Sequence, residues 1–362
     1  MITANNMNVV EQVKSNPNLE LYEYDPDDYH GWLSLRNMLS RENGFKIRYG
    51  GSDVGKIMGY SSYMSPGMFF YECIGKKPDI SDPNFYTYFG HVSEDLVRER
   101  YYPFWNMDTE SEQEFFDNAY KNKVLQTAYP FPYTVINKRF PFLVVNVDGI
   151  TDRLGEPGVY EGKSMNSWVA RKFKDSIDPS YLAQEETYCI GMELSYWDMS
   201  KLEDKKYELL TSQHMDVEKR DTFQEKIVTS VKEFQLRVLE CKKAMESGMG
   251  YDEYERLVAA MEPDSTEHER YFDEMKDRYN PDIETTLVAQ EEDIELAMKY
   301  LDQQTGLKVF EKDMEITKNQ MLKRLKDRNA TILEYGDSIA ISYKADKRGI
   351  RKFHINSKLN EL

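Results

Sequence analysis

Between Tyr133 and Met165, short apolar runs alternate with turn residues, in a chain whose flanks carry helical periodicity instead. "YTVINKRFPFLVVNVDGI" reads as two strands of a hairpin and "GVYEGKSM" as a third strand. "PSYLAQEETYCIGMEL" then has helical spacing, and "YWDMSKL" and "YELLTSQ" read as two more strands joined at "EDKK". Upstream, "YFGHVSEDLVRERYYPFW" places Val92, Leu96 and Arg100 at steps of four. Helix, three strands, helix, two strands: this order restricts the chain to a mixed α/β core.

The flanks extend that core. From Asp25 to Lys77, Gly, Ser and Pro punctuate helical periodicity, as expected of two helices joined by a tight loop. Phe223, Ile227, Val231, Phe234 and Val238 lie on one face of a long helix predicted from Val217 to Ser247. After "SGMGYDEY" a highly charged helical stretch runs to Arg328, and "ATILEYGDSIAISYKADKRGIRKFHI" reads as a three-stranded meander with turns at "YGD" and "DKRG". We expect two domains, 1–249 and 250–362, the second a helical extension ending in the meander.

Composition narrows the function classes. With 362 residues, 40% hydrophobic and 13% aromatic, the chain can bury a core large enough to offset its ordering entropy. Cys73, Cys189 and Cys241 are far apart and form no CxxC pair, which points to a reducing compartment and excludes a four-thiolate cluster. No basic leader or apolar run of about 20 residues is evident, so a soluble cytoplasmic protein is expected. The formal net charge of −17 opposes binding to nucleic acid in general. A nuclease that holds its metal with carboxylates is compatible with it, provided that a local basic track meets the phosphates.

The stretch "VVNVDGITDRLGEPGVYEGKSM" supplies such carboxylates. Glu161 and Lys163 are two apart on a predicted strand and share a face, while an Asp at the end of the neighbouring strand, Asp148, can meet them. Two carboxylates and the Gly162 carbonyl make an all-oxygen site suited to Mg²⁺, with Mn²⁺ an alternative. A lysine beside it can polarise or deprotonate water and offset charge in a phosphorane-like transition state. Glu-x-Lys occurs four times, at Glu161, Glu203, Glu240 and Glu274, but only Glu161 follows an apolar strand ending in Asp. An exposed strand edge with a surface salt bridge remains the competing account of the stretch.

Several further elements appear in a fixed order: "WLSLR", "YGGSDVGKIMGYSSYMSP", "YFGHVSEDLVRERY", the Asp148 and Glu161-Gly162-Lys163 pair, and "PSYLAQEETY". Together they resemble the YqaJ-like viral recombinases, the lambda-type exonuclease branch of the PD-(D/E)XK nucleases. Trp32 and Arg36 match a Trp-x-x-x-Arg element, Gly90 and Glu94 a Gly-x-x-x-Glu helix, and Gln184 and Tyr188 a Gln-x-x-x-Tyr helix. The resemblance implies a restriction-endonuclease-like mixed central sheet flanked by helices. It implies that Glu94, Asp148, Glu161 and the Gly162 carbonyl hold metal, that Lys163 serves the water, and that Gln184 orients the lysine or the scissile phosphate. Arg36 and Ser52 match positions that grip a DNA 5′-phosphate, with Arg41, Lys46 and Arg48 as alternatives for the arginine. The implied activity is 5′-to-3′ exonuclease action on linear duplex DNA with free ends. The implied partners are a single-strand annealing protein and further copies of the chain in a ring trimer.

Local charge agrees. "SMNSWVARKFKD" sets Arg171, Lys172 and Lys174 beside Trp168 and Phe173, a pattern that can track a backbone and stack a base, or form an ordinary amphipathic helix. "GGSDVGKIMG" lacks the Walker A spacing, which argues against an ATPase. Two other readings stay open: an endonuclease or junction-cleaving enzyme on the same core, and a non-catalytic acidic protein that mimics DNA or docks to a recombinase.

Overall fold

The computed structural model describes residues 8–77, 93, 97–98, 128–153, 155–165, 177–203, 206–212, 215–278, 290–327, 332–335, 338–345 and 351–355. The chain divides into two compact units, Met1–Tyr279 and Asn280–Leu362. The soft boundary expected near Met249 falls inside the first unit, because the segment after it is tied to the core. Glu274 accepts the Ser65 N–H at 2.9 Å, Ser265 Oγ accepts the Gly67 N–H at 2.8 Å, and Glu262 accepts the Tyr71 hydroxyl at 2.9 Å.

The first unit begins with helix α1 (Val9–Lys14), strand β1 (Leu19–Glu23) and helix α2 (Tyr29–Ser40), followed by a short hairpin of β2 (Arg41–Glu42) and β3 (Phe45–Lys46). Asn43 and Gly44 turn that hairpin with φ of 50° and 87°, as a primed two-residue turn requires. Helices α3 (Gly51–Ile57) and α4 (Pro66–Cys73) follow, so Asp25 to Lys77 holds three helices and a hairpin rather than two helices. The Asn-Gly pair is the local signal for the difference.

Next come β4 (Ala128–Tyr129), β5 (Tyr133–Asn137), β6 (Phe140–Val145), β7 (Gly149–Arg153) and β8 (Glu156–Met165), then α5 (Pro179–Met192), β9 (Trp197–Glu203) and β10 (Lys206–Thr211). Helices α6 (Val217–Glu246), α7 (Tyr251–Met261) and α8 (Tyr271–Arg278) complete the unit. The hairpin expected within Tyr133 to Ile150 is formed by β5 and β6, and the last two residues of the stretch already open β7. β5 and β6 pair with each other and with β1 in one sheet, whereas β7 belongs to a five-stranded sheet of order β10-β9-β8-β7-β4. All neighbours in that sheet are antiparallel except β8 and β9, and α5 supplies the crossover a parallel pair needs.

Helix α5 is therefore central. Asp178 caps it by accepting the Ser180 N–H at 2.7 Å, Pro179 occupies its first turn, and it ends at Glu193 with φ of 56°. Asn16, Asn18 and Arg139 hold the Glu193 carboxylate at 2.9–3.0 Å. Ten consecutive residues of the helix, Ala183 to Met192, are buried, four of them polar or charged: Gln184, Glu185, Glu186 and Thr187. On α6 the predicted stripe faces inward: Ile227, Val231, Phe234, Val238, Cys241 and Ala244 are buried. Phe234 packs against Tyr49, Phe69 and Phe70 with ring centroids 5.4–6.2 Å apart. The three cysteines are buried and unbridged.

One glycine tests the packing between β8 and β9. A Cβ on Gly158 would stand 2.2 Å from the Tyr196 ring, which stacks under Arg153 at 3.7 Å and donates its hydroxyl to the Glu156 carbonyl. With that ring clamped, we expect Gly158→Ala to lower stability by about 1–3 kcal/mol, read as a shift in the urea midpoint.

The second unit contains helix α9 (Glu291–Asp327) and an antiparallel sheet of β11 (Ile332–Tyr335), β12 (Ser338–Ala345) and β13 (Arg351–Ile355). Leu296, Tyr300, Leu307, Phe310 and Met314 of the helix are exposed. Among the described residues no helix is long and apolar enough to cross a membrane.

Candidate active site

Pairing of β7 with β8 sets Gly149 opposite Tyr160. Continued one step, that register brings Asp148 opposite Glu161, where cross-strand side chains lie about 4.5–5.5 Å apart. Asp148 Oδ2 accepts the Gly162 N–H at 2.9 Å, which fixes its carboxylate against the strand that carries Glu161. Lys163 Nζ lies 2.5 Å from Glu161 Oε1, and the same oxygen accepts Gln184 Nε2 from α5 at 2.8 Å. Gln184 Nε2 also donates to the Tyr188 hydroxyl at 2.8 Å. Asp148, Glu161, Lys163, Gln184 and Tyr188 thus converge. Glu94, Arg171 and Lys172 lie outside the described residues.

The buried Glu161 is only 3% exposed, which sharpens the electrostatics. Burial lowers the tendency of Lys163 to hold its proton, but Glu161 and Asp148 more than offset this and keep the ammonium well above the usual lysine range. Lys163 is a cation here and not a base. Its Nζ also sits 5.4 Å from the centre of the Tyr181 ring, a contact of the kind that holds ammonium groups in place.

Asp148, Glu161, Gln184 and Tyr188 line a cavity of about 610 Å³. Arg36 and Ser52 line it as well, so α2 and α3 bring the two positions expected to grip phosphate to the same space as the carboxylates. The alternatives to Arg36 are engaged elsewhere. Arg48 donates to the carbonyls of Leu39 and Pro141, Arg41 reaches the Gly44 carbonyl, and Lys46 pairs with Asp53 at 2.8 Å. Burial pushes the Asp53 carboxyl up, but Lys46, Lys56 and Arg36 outweigh it and hold the group well below the usual carboxylate range. As an anion, Asp53 accepts the Gly50 N–H at 3.0 Å and fixes the Gly50-Gly51-Ser52 turn. The second glycine of that turn is required: a Cβ on Gly51 would lie 2.7 Å from the Tyr188 ring and 2.9 Å from Gln184 Cγ.

The sequence reading missed part of the cavity. Tyr24, Tyr29 and Trp32 form an aromatic wall, with Trp32 at 6.3 Å from Tyr24 and 5.6 Å from Tyr29, and the Arg36 guanidinium 5.6 Å from the Trp32 ring. Trp32 and Arg36 were visible as a spaced pair, whereas Tyr24, in the loop after β1, and Tyr29, the first residue of α2, carry no spacing signal. Glu185 was also missed. It is fully buried, neither carboxyl oxygen has a hydrogen-bond partner among the described residues, and burial followed by the charge of Glu161 drives its carboxyl well above the usual range. Glu185 stays neutral when the unfolded chain already ionises it at about pH 4.3. Stability from this group is complete below that pH and is lost as pH rises toward its folded value. Glu185→Gln should therefore flatten the loss and gain stability over wild type as pH rises above the unfolded value, as followed by thermal melts.

Can these groups hold a cation? The donors are two carboxylates on adjacent strands and a neighbouring backbone carbonyl, oxygen throughout, and Mg²⁺ is commonly bound through one or two carboxylates with retained waters. Among the described residues no cluster of three or more His, Cys, Asp or Glu side chains is placed to hold a metal, and the third expected ligand, Glu94, lies outside them. The described pair fits a divalent ion shared with water.

Comparison with known families bears on the same segment. Residues 31–191 match the YqaJ-like viral recombinase domain. The YqaJ-like match runs from α2 to the last turn of α5 and contains Arg36, Ser52, Asp148, Glu161, Lys163, Gln184 and Tyr188. Two solved structures of LHK-Exo, an alkaline exonuclease from Laribacter hongkongensis, are similar to the chain at a TM-score of 0.40. They share 14% and, for the complex with dAMP, 15% identity, and each alignment covers 60% of this chain and 98% of the other. No curated protein compared with the chain matches it.

Proposed function

We propose that the protein is a metal-dependent deoxyribonuclease, an exonuclease that degrades one strand of linear duplex DNA from its 5′ end. The supporting observation is the convergence of Asp148, Glu161 and Gln184 on the cavity that also receives Arg36 and Ser52, with Lys163 paired to Glu161 behind that lining. In this reading the first unit is a PD-(D/E)XK core of the restriction-endonuclease type. Asp148, Glu161, the Gly162 carbonyl and Glu94 hold Mg²⁺ or Mn²⁺, which when bound activates water and neutralises the leaving oxygen.

The chain's own groups do the rest. Lys163, kept protonated by its carboxylate neighbours, presents a fixed positive charge where the phosphorane-like transition state gathers negative charge. Gln184 holds Glu161 Oε1 with its amide and anchors to Tyr188, which limits the carboxylate to one orientation. Arg36 and Ser52 take the terminal phosphate, a bidentate fork and a hydroxyl suited to it. Tyr188 closes the floor beneath them, and Arg171 and Lys172 track the strand beyond the site. The product is a single strand for an annealing protein, the working form is a ring of three chains, and the reaction takes place in the cytoplasm of the host cell.

The test is a linear duplex labelled at one 5′ end, with and without Mg²⁺, beside a covalently closed circle. We expect metal-dependent release of the 5′ label from the linear duplex and an intact circle. Cleavage of the circle would assign an endonuclease, and absence of any hydrolysis would leave a binding protein.

A further inference from the structure

Two arginines line the cavity, Arg36 and Arg98, and only Arg36 has been given a task. Arg98 Nη1 donates to the backbone carbonyl of Asp148 at 3.1 Å. Its Cδ lies 3.2 Å from where a Cβ on Gly149 would stand, so the aliphatic stem packs over the start of β7. The guanidinium is therefore tethered to the residue whose carboxylate faces Glu161. Its orientation is set before a ligand arrives.

Electrostatics gives this placement a purpose. The same cavity is lined by Asp27, Asp148 and Glu161, three carboxylates that repel a phosphodiester. Arg36 sits by Trp32 and the Gly50 turn, where a would-be Gly50 Cβ lies 2.7 Å from its Nη2. Arg98 is bonded to the backbone of Asp148 and shares the cavity lining with both carboxylates. A cation held next to the acidic pair compensates their repulsion at the point where a phosphate must come closest to them, and a guanidinium can meet two phosphate oxygens at once.

We propose that Arg98 is a second phosphate-binding residue, taking the scissile phosphate beside Asp148 while Arg36 takes a neighbouring one. This rests on the nuclease reading, and it is separable from it by measuring binding apart from hydrolysis. Binding of an end-labelled duplex is followed with Ca²⁺ in place of Mg²⁺, as a function of salt, for wild type, Arg98→Gln and Arg98→Lys. A single neutral methylphosphonate is moved through the terminal linkages.

For Arg98→Gln we expect the slope of log K against log salt to fall by about 0.9, one phosphate contact on duplex DNA. In wild type, one methylphosphonate position should weaken binding about ten- to hundredfold, and the same position should cost Arg98→Gln nothing further. Arg98→Lys should recover the slope, and hydrolysis with Mg²⁺ should fall about 10²–10³-fold in Arg98→Gln. If Arg98 only braces the Asp148 carbonyl, Arg98→Gln loses hydrolysis while its salt slope and its methylphosphonate cost stay at wild-type values, and the proposal is overturned. Should Arg98→Gln fail to fold, Arg98→Ala is judged in its place by the same two readouts, and a wild-type salt slope with the full methylphosphonate cost there overturns the proposal. A binding response to Arg98 with no hydrolysis by wild type would keep the phosphate site and remove the nuclease reading.

Discussion

Glu161→Gln is expected to reduce phosphodiester hydrolysis by about 10³-fold or more while leaving affinity for duplex DNA within a few fold of wild type. The substitution keeps shape and burial. It removes the negative charge that faces Lys163 at 2.5 Å and replaces an acceptor of the Gln184 amide with a group of mixed polarity. Three effects follow from the one change: a weaker cation site, an ammonium without its partner, and a Gln184 side chain with less to hold it. Lys163→Met should cost a similar amount by removing only the positive charge. Steady-state kinetics on labelled duplex, with circular dichroism to confirm folding, checks both. Full activity in purified Glu161→Gln would remove Glu161 from the chemistry.

The largest effect on stability is expected two residues along α5 from Gln184. Glu186 is fully buried and accepts from Trp197 Nε1 at 2.7 Å, from Arg220 Nε at 2.8 and 2.9 Å, and from Gln224 Nε2. It thereby ties the crossover helix to β9 and to α6. Glu186→Ala strands the Arg220 guanidinium, whose side chain is 13% exposed, and leaves two further donors without their acceptor. Breaking one side of such a pair costs about 3–5 kcal/mol, which for a unit of this size lowers the melting temperature by roughly 2–4 °C per kcal/mol. Because α5 also carries Gln184, the loss of hydrolysis on warming should come earlier by the same margin. A melting temperature unchanged in Glu186→Ala would show the network to be dispensable.

Local patterns carried much of this architecture, and non-local pairing carried what they missed. The stripe of α6 was readable because its period is set within one helix, and Glu161 with Lys163 because a strand places alternate residues on one face. The separation of β5 and β6 from β7 was not readable. Both arrangements present the same apolar runs, and the choice between sheets is made by partners far away in the chain, β1 for one and β8 for the other. The Asn43-Gly44 hairpin carried its own signal and was overlooked beside longer helical patterns. Arg98, Tyr24 and Tyr29 reach the cavity through tertiary packing, for which no spacing exists. Helical spacing in α5 carried no sign that Glu185 and Glu186 are buried. They are buried because α5 is covered by sheet, α3 and α6 together, a property of the assembled layers and not of the helix.

The claim beneath all of this is that Asp148 and Glu161 grasp one divalent cation between them. Anomalous diffraction from crystals soaked in Mn²⁺ tests it most directly. The account predicts a single strong peak bridging the two carboxylates in wild type, lost in both Asp148→Asn and Glu161→Gln. A wild-type map with Mn²⁺ elsewhere and no density between these two side chains would contradict it.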